Sequence, residues 1–177
     1  PVMRWMARSD GSLHGGLRRL FGFAIATSGL DPGETRYLPD GSAATLWTPP
    51  GAWREVPPVG PLLGSLHRLA GMARGFQVRR LLAMEPMLRK HPATPHWYLF
   101  AVGVLPERQG QGLGGALLRE TLVRVDASGA PAYLENSNPK NTRLYERLGF
   151  ETIDTYRAGP DAPEVLLMWR PARASAR

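Results

Sequence analysis

The sequence predicts an α/β fold with a mixed sheet. Three observations carry that reading. Trp97 to Val104 is a continuous apolar run of the kind that forms a strand buried on both faces. Residues 112 to 126, with Leu113, Ala116, Leu117, Leu122 and Val125 on one side, read as an amphipathic helix behind a glycine-rich loop. Helical and β patterns also alternate along all 177 residues.

Taken in order, Leu13, Leu17, Leu20, Phe21, Ala24 and Ile25 recur at the helical spacing of three and four, so 12 to 28 is a helix that Gly29 stops. Glu34 to Leu38 and Ala43 to Trp47 are two β runs. Pro39-Asp40-Gly41 between them is a turn signal, which predicts a hairpin. Residues 48 to 61 are rich in proline and glycine and read as a loop. Helices follow near 62 to 73 and 76 to 90, the second stopped at His91-Pro92. After the Trp97 strand and the 112 to 126 helix come a strand at Ala132 to Glu135 and a short helix at Asn141 to Leu148. Two strands near 150 to 157 and 164 to 169 close the chain as an antiparallel pair. The domain is expected to occupy residues 1 to 171, with 172 to 177 a frayed tail.

Composition narrows the function classes. There are no cysteines, which removes disulfides, thiolate chemistry and thiolate-bound zinc. His14, His67, His91 and His96 are scattered without metal-ligand spacing and read as surface or structural residues, so no metal is expected. Apolar stretches reach about ten residues where a membrane span needs about 20, and no signal-peptide pattern opens the chain. The expected location is cytoplasmic, with no membrane partner. Net charge is +7, almost all from arginine. The arginines form no dense run and have no interleaved aromatics, so nucleic acid is not the expected partner. A polyanionic cofactor is a second use for such charge.

The strongest motif is Val104-Leu105-Pro106-Glu107-Arg108-Gln109-Gly110-Gln111-Gly112-Leu113-Gly114-Gly115, which joins the buried strand to the helix. Glycines let a ligand approach the backbone, and a helix N-terminus offers unpaired N–H groups and partial positive charge. Together they suit a pyrophosphate held by the amides of Gln109 through Gly115. A plain glycine-rich turn is the alternative. Gly110, Gly112 and Gly115 also satisfy G-x-G-x-x-G, and Glu135 ends the next strand where a dinucleotide fold places its ribose-binding acid. Against a dinucleotide site, five residues (Leu105 to Gln109) separate strand from first glycine. Only 42 residues follow Glu135, and they hold antiparallel-looking strands instead of further βα units. No Gly-Lys-Ser/Thr follows, so a P-loop is excluded.

Gln109-x-x-Gly112-x-Gly114 resembles the R/Q-x-x-G-x-G/A signature of the GNAT superfamily of N-acetyltransferases. A second region of that family resembles Asn138-Pro139-Lys140-Asn141-Thr142-Arg143-Leu144-Tyr145-Glu146-Arg147-Leu148-Gly149-Phe150. Trp97 to Phe150 is similar to the puromycin N-acetyltransferase-like branch through Trp97-Tyr98-Leu99, Val102-Gly103-Val104, Leu134-Glu135 and Tyr145 to Phe150, with weaker similarity over Gly29 to Pro49. The resemblance implies a mostly antiparallel central sheet flanked by helices. It also implies a first strand and helix ahead of Pro1 that this sequence lacks.

The resemblance further implies acetyl-CoA as acyl donor and a small-molecule amine as acceptor. One strand would splay from its neighbour and expose the edge from Phe100 to Leu105, where backbone of Val102 and Val104 would bind the pantetheine arm. A main-chain N–H near Val104 or Leu105 would face the thioester oxygen. Tyr145 matches a tyrosine that protonates the leaving thiolate; a packed tyrosine touching the cofactor is the alternative. Asn141 matches a residue that bonds the cofactor arm, or is a helix-surface amide. Glu135, a lone carboxylate ending a buried strand beside the splay, is the best general base, unless it is bound to backbone or arginine. Glu85 and Glu34 are weaker candidates. A non-catalytic acetyl-CoA-binding module and a protein N-acetyltransferase remain competing readings, and a homodimer is compatible with the sequence.

Overall fold

A computed structural model describes residues 1–7, 9–27, 34–51 and 76–173. The expected helix at 62 to 73 and most of the 48 to 61 loop lie outside them. The described helices and strands are α1 (Val2–Met6), α2 (Leu13–Thr27), β1 (Glu34–Tyr37), β2 (Ala43–Thr48), α3 (Val78–Leu82), α4 (Glu85–Arg89), β3 (Trp97–Val104), α5 (Leu113–Ala127), β4 (Ala132–Asn136), α6 (Thr142–Arg147), β5 (Glu151–Tyr156) and β6 (Val165–Arg170). α1 escaped the sequence reading because five residues are too few to show a period. The stretch from 76 to 90 is two short helices, not one. Pro86 sits in the first turn of α4, where a missing N–H does no harm, and starts a new helix instead of continuing the old one.

Six strands form one sheet in the order β1-β2-β3-β4-β6-β5. Every pairing is antiparallel except β3 with β4. The β1–β2 turn is fixed locally. Asp40 Oδ1 accepts from the Ser42 amide at 3.0 Å, and Gly41 takes φ +70°.

Two layers cover the sheet. On one face α5 and α6 pack over Trp97, Leu99, Ala132, Leu134 and Met168, with Tyr145 and Phe150. On the other, Tyr98, Tyr133, Val165 and Leu167 pack with Met87 of α4. β3 and β4 therefore carry apolar or aromatic residues on both sides, as the unbroken run from Trp97 required. α5 is held down by Leu117, Leu118, Leu122 and Val125, all buried.

One buried ion pair ties the layers together. Arg170, at the end of β6, is 2% exposed and grips Asp126 of α5 through two bonds of 2.6 and 2.9 Å. Its Nε also donates to the Leu148 carbonyl after α6 at 2.8 Å. The Arg170 hydrogen bonds hold the Asp126 carboxyl below its usual range. Asp126→Ala strands a buried guanidinium and should cost roughly 3 kcal/mol in urea unfolding, at the low end for such pairs because Asp126 is part-exposed. A carboxyl depressed on folding stabilises above its unfolded value of about 3.9. This contribution should therefore be present at neutral pH and fade as pH falls below about 4.

Candidate active site

The decisive feature is a parting of strands. β3 and β4 pair only at Trp97–Ala132, Tyr98–Tyr133 and Leu99–Leu134. Beyond that point Glu135 and Asn136 stay with β6, while β3 stays with β2. The parting coincides with a β-bulge: Trp47 opposes Leu99 and Leu46 opposes Ala101, so Phe100 has no partner on β2. The extra residue also shifts the alternation, which puts Val102 and Val104 on the α5 face with Trp97 and Leu99.

The register decides which backbone groups line the slot. Leu105 donates to the Ser42 carbonyl at 2.9 Å. Antiparallel pairs alternate between bonded and non-bonded. Gly103 and Ala101 therefore face β2, and the peptide groups of Val102 and Val104 face the slot. The Leu105 amide is committed to β2, so of the two expected oxyanion donors only Val104 N–H points the right way. The Val104 carbonyl already accepts from Gln109 Nε2 at 3.1 Å.

Above this edge sits the glycine loop. A 3₁₀ turn over Pro106–Arg108 uses the Gln109 amide, which donates to Pro106 at 3.3 Å. The expected run of free donors therefore starts one residue later. Among the described residues, no N–H from Gly110 through Gly115 donates a hydrogen bond, and the first bond of α5 is Ala116 N–H to Gly112. Gly110 and Gly112 both take φ +78°, which a side chain would strain. Gly114 serves packing: an added Cβ would sit 3.3 Å from Val104 Cγ2 and 3.6 Å from Val102 Cγ2. A Cβ on Gly115 would meet Leu144 of α6 at 3.3 Å. These contacts set the helix N-terminus against the open edge of β3. Arg108 pins the loop through Asp40 (3.3 Å) and Gln111 Oε1 (3.1 Å). Six clustered amides in the loop and first turn of a fifteen-residue helix suit a diphosphate, so the residues present fit coenzyme A.

Tyr145 lies on this same face and is buried at 5% exposure. Its ring meets Phe150 edge-on at 6.2 Å. Burial raises its pKa, and a hydrogen bond with the Asn141 side chain, one turn earlier, opposes the rise. Asn136 fixes this segment: its Nδ2 donates to Thr142 Oγ1 at 3.0 Å and its Oδ1 accepts from the Asn138 amide at 2.9 Å. The sequence reading passed over Asn136, although a polar residue ending a buried strand needs such partners.

Glu135 follows Tyr133 by two residues and so faces the opposite side. Its side chain is 12% exposed, and Oε1 lies 3.7 Å from His91 Nδ1. Oε2 accepts from the Tyr98 hydroxyl at 2.7 Å. Burial, then the Glu135 charge, push the Tyr98 and Tyr133 phenols up. The His91 ring stacks edge-on against Tyr98 and Tyr133 at 4.9 and 4.8 Å. His91 Nε2 meets His96 Nε2 at 3.0 Å. Glu135 is thus neither salt-bridged to arginine nor backbone-bound. Of the four histidines that looked scattered, His91 faces Glu135 and His96 meets His91, and distance along the chain gave no signal of this. Glu34 is clamped by Arg124 and Arg36, and Glu85 by Arg89, which removes both from consideration. Among the described residues, no group of three His, Asp or Glu is placed to hold a metal ion, and no helix is long and apolar enough to cross a membrane. A cavity of about 870 Å³ between α1, α2 and the β5–β6 turn is lined by Trp5, Leu13, Leu17 and Arg157 and does not include the slot.

The profile of the "Acetyltransferase (GNAT) family" matches residues 34–150. The chain belongs to the GNAT acetyltransferase family. Curated relatives include mycothiol acetyltransferases of Streptomyces scabiei, 35% identical over 49% of this chain and 29% of theirs, and of Nocardiopsis dassonvillei, 43% identical over 32% and 18%. The chain spans less than a third of the length of these relatives. Among solved structures, a Corynebacterium glutamicum protein described as "histone acetyltransferase HPA2 and related acetyltransferase" matches with TM-score 0.66 and 27% identity, over 99% of this chain and 83% of that one. The ribosomal-protein-S18-alanine N-acetyltransferase of Escherichia coli shares the fold at TM-score 0.52 and 18% identity, over 88% and 79%. The sheet of this GNAT chain thus sets the glycine loop, Tyr145 and Asn141 on one face of the slot and Glu135 on the other.

Tyr98→Phe tests the Glu135 environment alone. It removes a hydrogen bond to a buried carboxylate and should lower unfolding stability by about 1.5 to 3 kcal/mol, measured by chemical denaturation.

Proposed function

We propose that this chain transfers an acetyl group from acetyl-CoA to a primary amine of a small molecule, by direct attack in a ternary complex. The observation that supports it most is the slot itself. It opens through the sheet between unpartnered amides on one face and a buried carboxylate on the other. A donor lying against β3 and an acceptor beside Glu135 would meet only there.

Bound acetyl-CoA supplies a thioester carbonyl, and the chain's own groups do the rest. Gly110 to Gly115 hold the diphosphate, and the Val102 peptide group pairs with the arm along the open edge of β3. Val104 N–H is the slot-facing donor for the oxygen that gains charge on attack. An alkyl amine has a pKa of about 10.4 and arrives charged, so Glu135 takes its proton. Tyr145 stands on the leaving-group side. With its pKa above the usual value of about 10 and a free thiol near 8.5, outright transfer to a thiolate runs uphill. Tyr145 therefore donates a hydrogen bond to the sulfur as the carbon–sulfur bond breaks; the thiol's proton is balanced by the second proton that the attacking nitrogen loses on becoming an amide, so Tyr145 ends protonated. The rings of Tyr98, Tyr133 and His91 enclose the Glu135 carboxylate. The names of the curated relatives point the same way.

Acetyl-CoA with a panel of primary amines, followed by thiol release, tests the reading. Turnover is expected. A broad panel with no release above the solvent background contradicts it. Tyr145→Phe should lower kcat on the order of tenfold to a hundredfold with little change in KM for acetyl-CoA. Gly112→Asp, by contrast, places strain and a like charge at the diphosphate. It should raise the acetyl-CoA dissociation constant at least about tenfold, read by calorimetry.

A further inference from the structure

His91 and His96 lie in a loop whose geometry assigns their protons. Pro92 and Pro95 fix φ within it and bring the two rings together. His96 Nδ1 lies 2.6 Å from the Thr94 carbonyl. A carbonyl only accepts, so that nitrogen carries the hydrogen. In a neutral ring His96 Nε2 is then an acceptor, and the nitrogen 3.0 Å away, His91 Nε2, must donate to it. Neutral His91 therefore presents a lone pair at Nδ1 to Glu135 Oε1 at 3.7 Å. Two acceptors face each other in a buried site. The contact has room for one proton.

We infer that Glu135 does not keep the proton it takes from the amine but passes it through His91 to His96. The inference rests on the general-base reading of Glu135. The proton leaves the ammonium for the Glu135 carboxylate and passes from it to His91 Nδ1. The Nε2 proton of His91 moves to His96 Nε2. Glu135 ends as a carboxylate, His91 as the other neutral tautomer, and His96 as an imidazolium bonded to Thr94. No proton is created or lost, and the carboxylate is restored beside a neutral amine. Burial holds the His96 pKa down, so the imidazolium releases its proton to water once products leave. The 3.7 Å gap is of the kind that closes in a reacting complex.

The surroundings suit one mobile charge. Among the described residues, the two rings are faced by Tyr98 from β3, Tyr133 and Glu135 from β4, and Trp169 from β6. The adjacent Lys90 is bound to Asp154 at 2.7 Å and to the Thr155 carbonyl at 3.2 Å. Among the described residues, Glu135 is the carboxylate that faces His91. Two rings 3.0 Å apart do not both carry charge, so the pair should hold one extra proton and not two.

The test follows the ring nitrogens of the full chain by NMR from about pH 9 to about pH 5, in wild type, Glu135→Gln and His91→Gln, with acetyl-CoA turnover measured on the best amine of the panel. The wild-type pair should take up one shared proton, with His96 bearing hydrogen on Nδ1 throughout. Glu135→Gln donates an amide N–H to His91 Nδ1 and should move the uptake down by at least one pH unit. His91→Gln should lower kcat on the order of tenfold and shift the acid limb of kcat/KM to lower pH, with KM for acetyl-CoA unchanged. Two independent uptakes, or an uptake that Glu135→Gln leaves in place, overturn the relay. So does an unshifted acid limb in His91→Gln. If the uptake is shared but Glu135→Gln turns over like wild type, the general-base reading fails and the relay with it.

Discussion

Three residue pairs of parallel ladder hold β3 to β4, and then the strands separate. The placement of chemistry in this molecule follows from that separation. A strand whose neighbour leaves has backbone donors and acceptors with nowhere to go, a condition that interiors tolerate only where something else will bind. The bulge at Phe100 makes the departure possible. It adds a residue to β3 and turns Val102 and Val104 toward α5. Past the bulge the ladder to β2 resumes from Ala101 to Val104, so the other edge of β3 stays paired alongside the slot.

The same geometry joins the two faces. Alternation along β4 puts Leu134 against α5 and Glu135 against Tyr98, one residue past the last β3–β4 pair. Gly114 and Gly115 let α5 and α6 close onto the sheet, which brings the unpartnered amides and Tyr145 to the slot from the other side. Arg170, Asp126 and the Leu148 carbonyl lock β6, α5 and α6 into one body. A shift of α5 relative to β3 would misalign cofactor and acceptor sites together.

Much of this was legible from residues alone. Trp97 to Val104 announced a strand, although only Trp97, Tyr98 and Leu99 of it are buried, and the glycines after it announced a helix start. Those signals are local, and a local signal survives in sequence. Gly110 and Gly112 are there because φ is positive. Gly114 and Gly115 are there because a Cβ would touch Val104 and Leu144. Other features depended on register and on contacts far apart in the chain. The commitment of the Leu105 amide to Ser42 follows from which pairs of β2 and β3 are bonded, and composition does not encode that. His91 and Tyr133 are distant in sequence, so their rings could not be seen to enclose Glu135. The break between α3 and α4 was marked by Pro86, whose meaning depends on whether it opens a helix or interrupts one. The family match over residues 34–150 spans the slot, from the hairpin to Phe150.

The most direct measurement is a backbone amide NMR titration of the chain with coenzyme A. The signals of Gly110 through Gly115 should move together with Val102 and Val104, and those of the cavity beside Trp5 and Leu13 should stay still. Saturable binding that leaves those loop and strand amides unmoved would place the cofactor elsewhere and contradict the account.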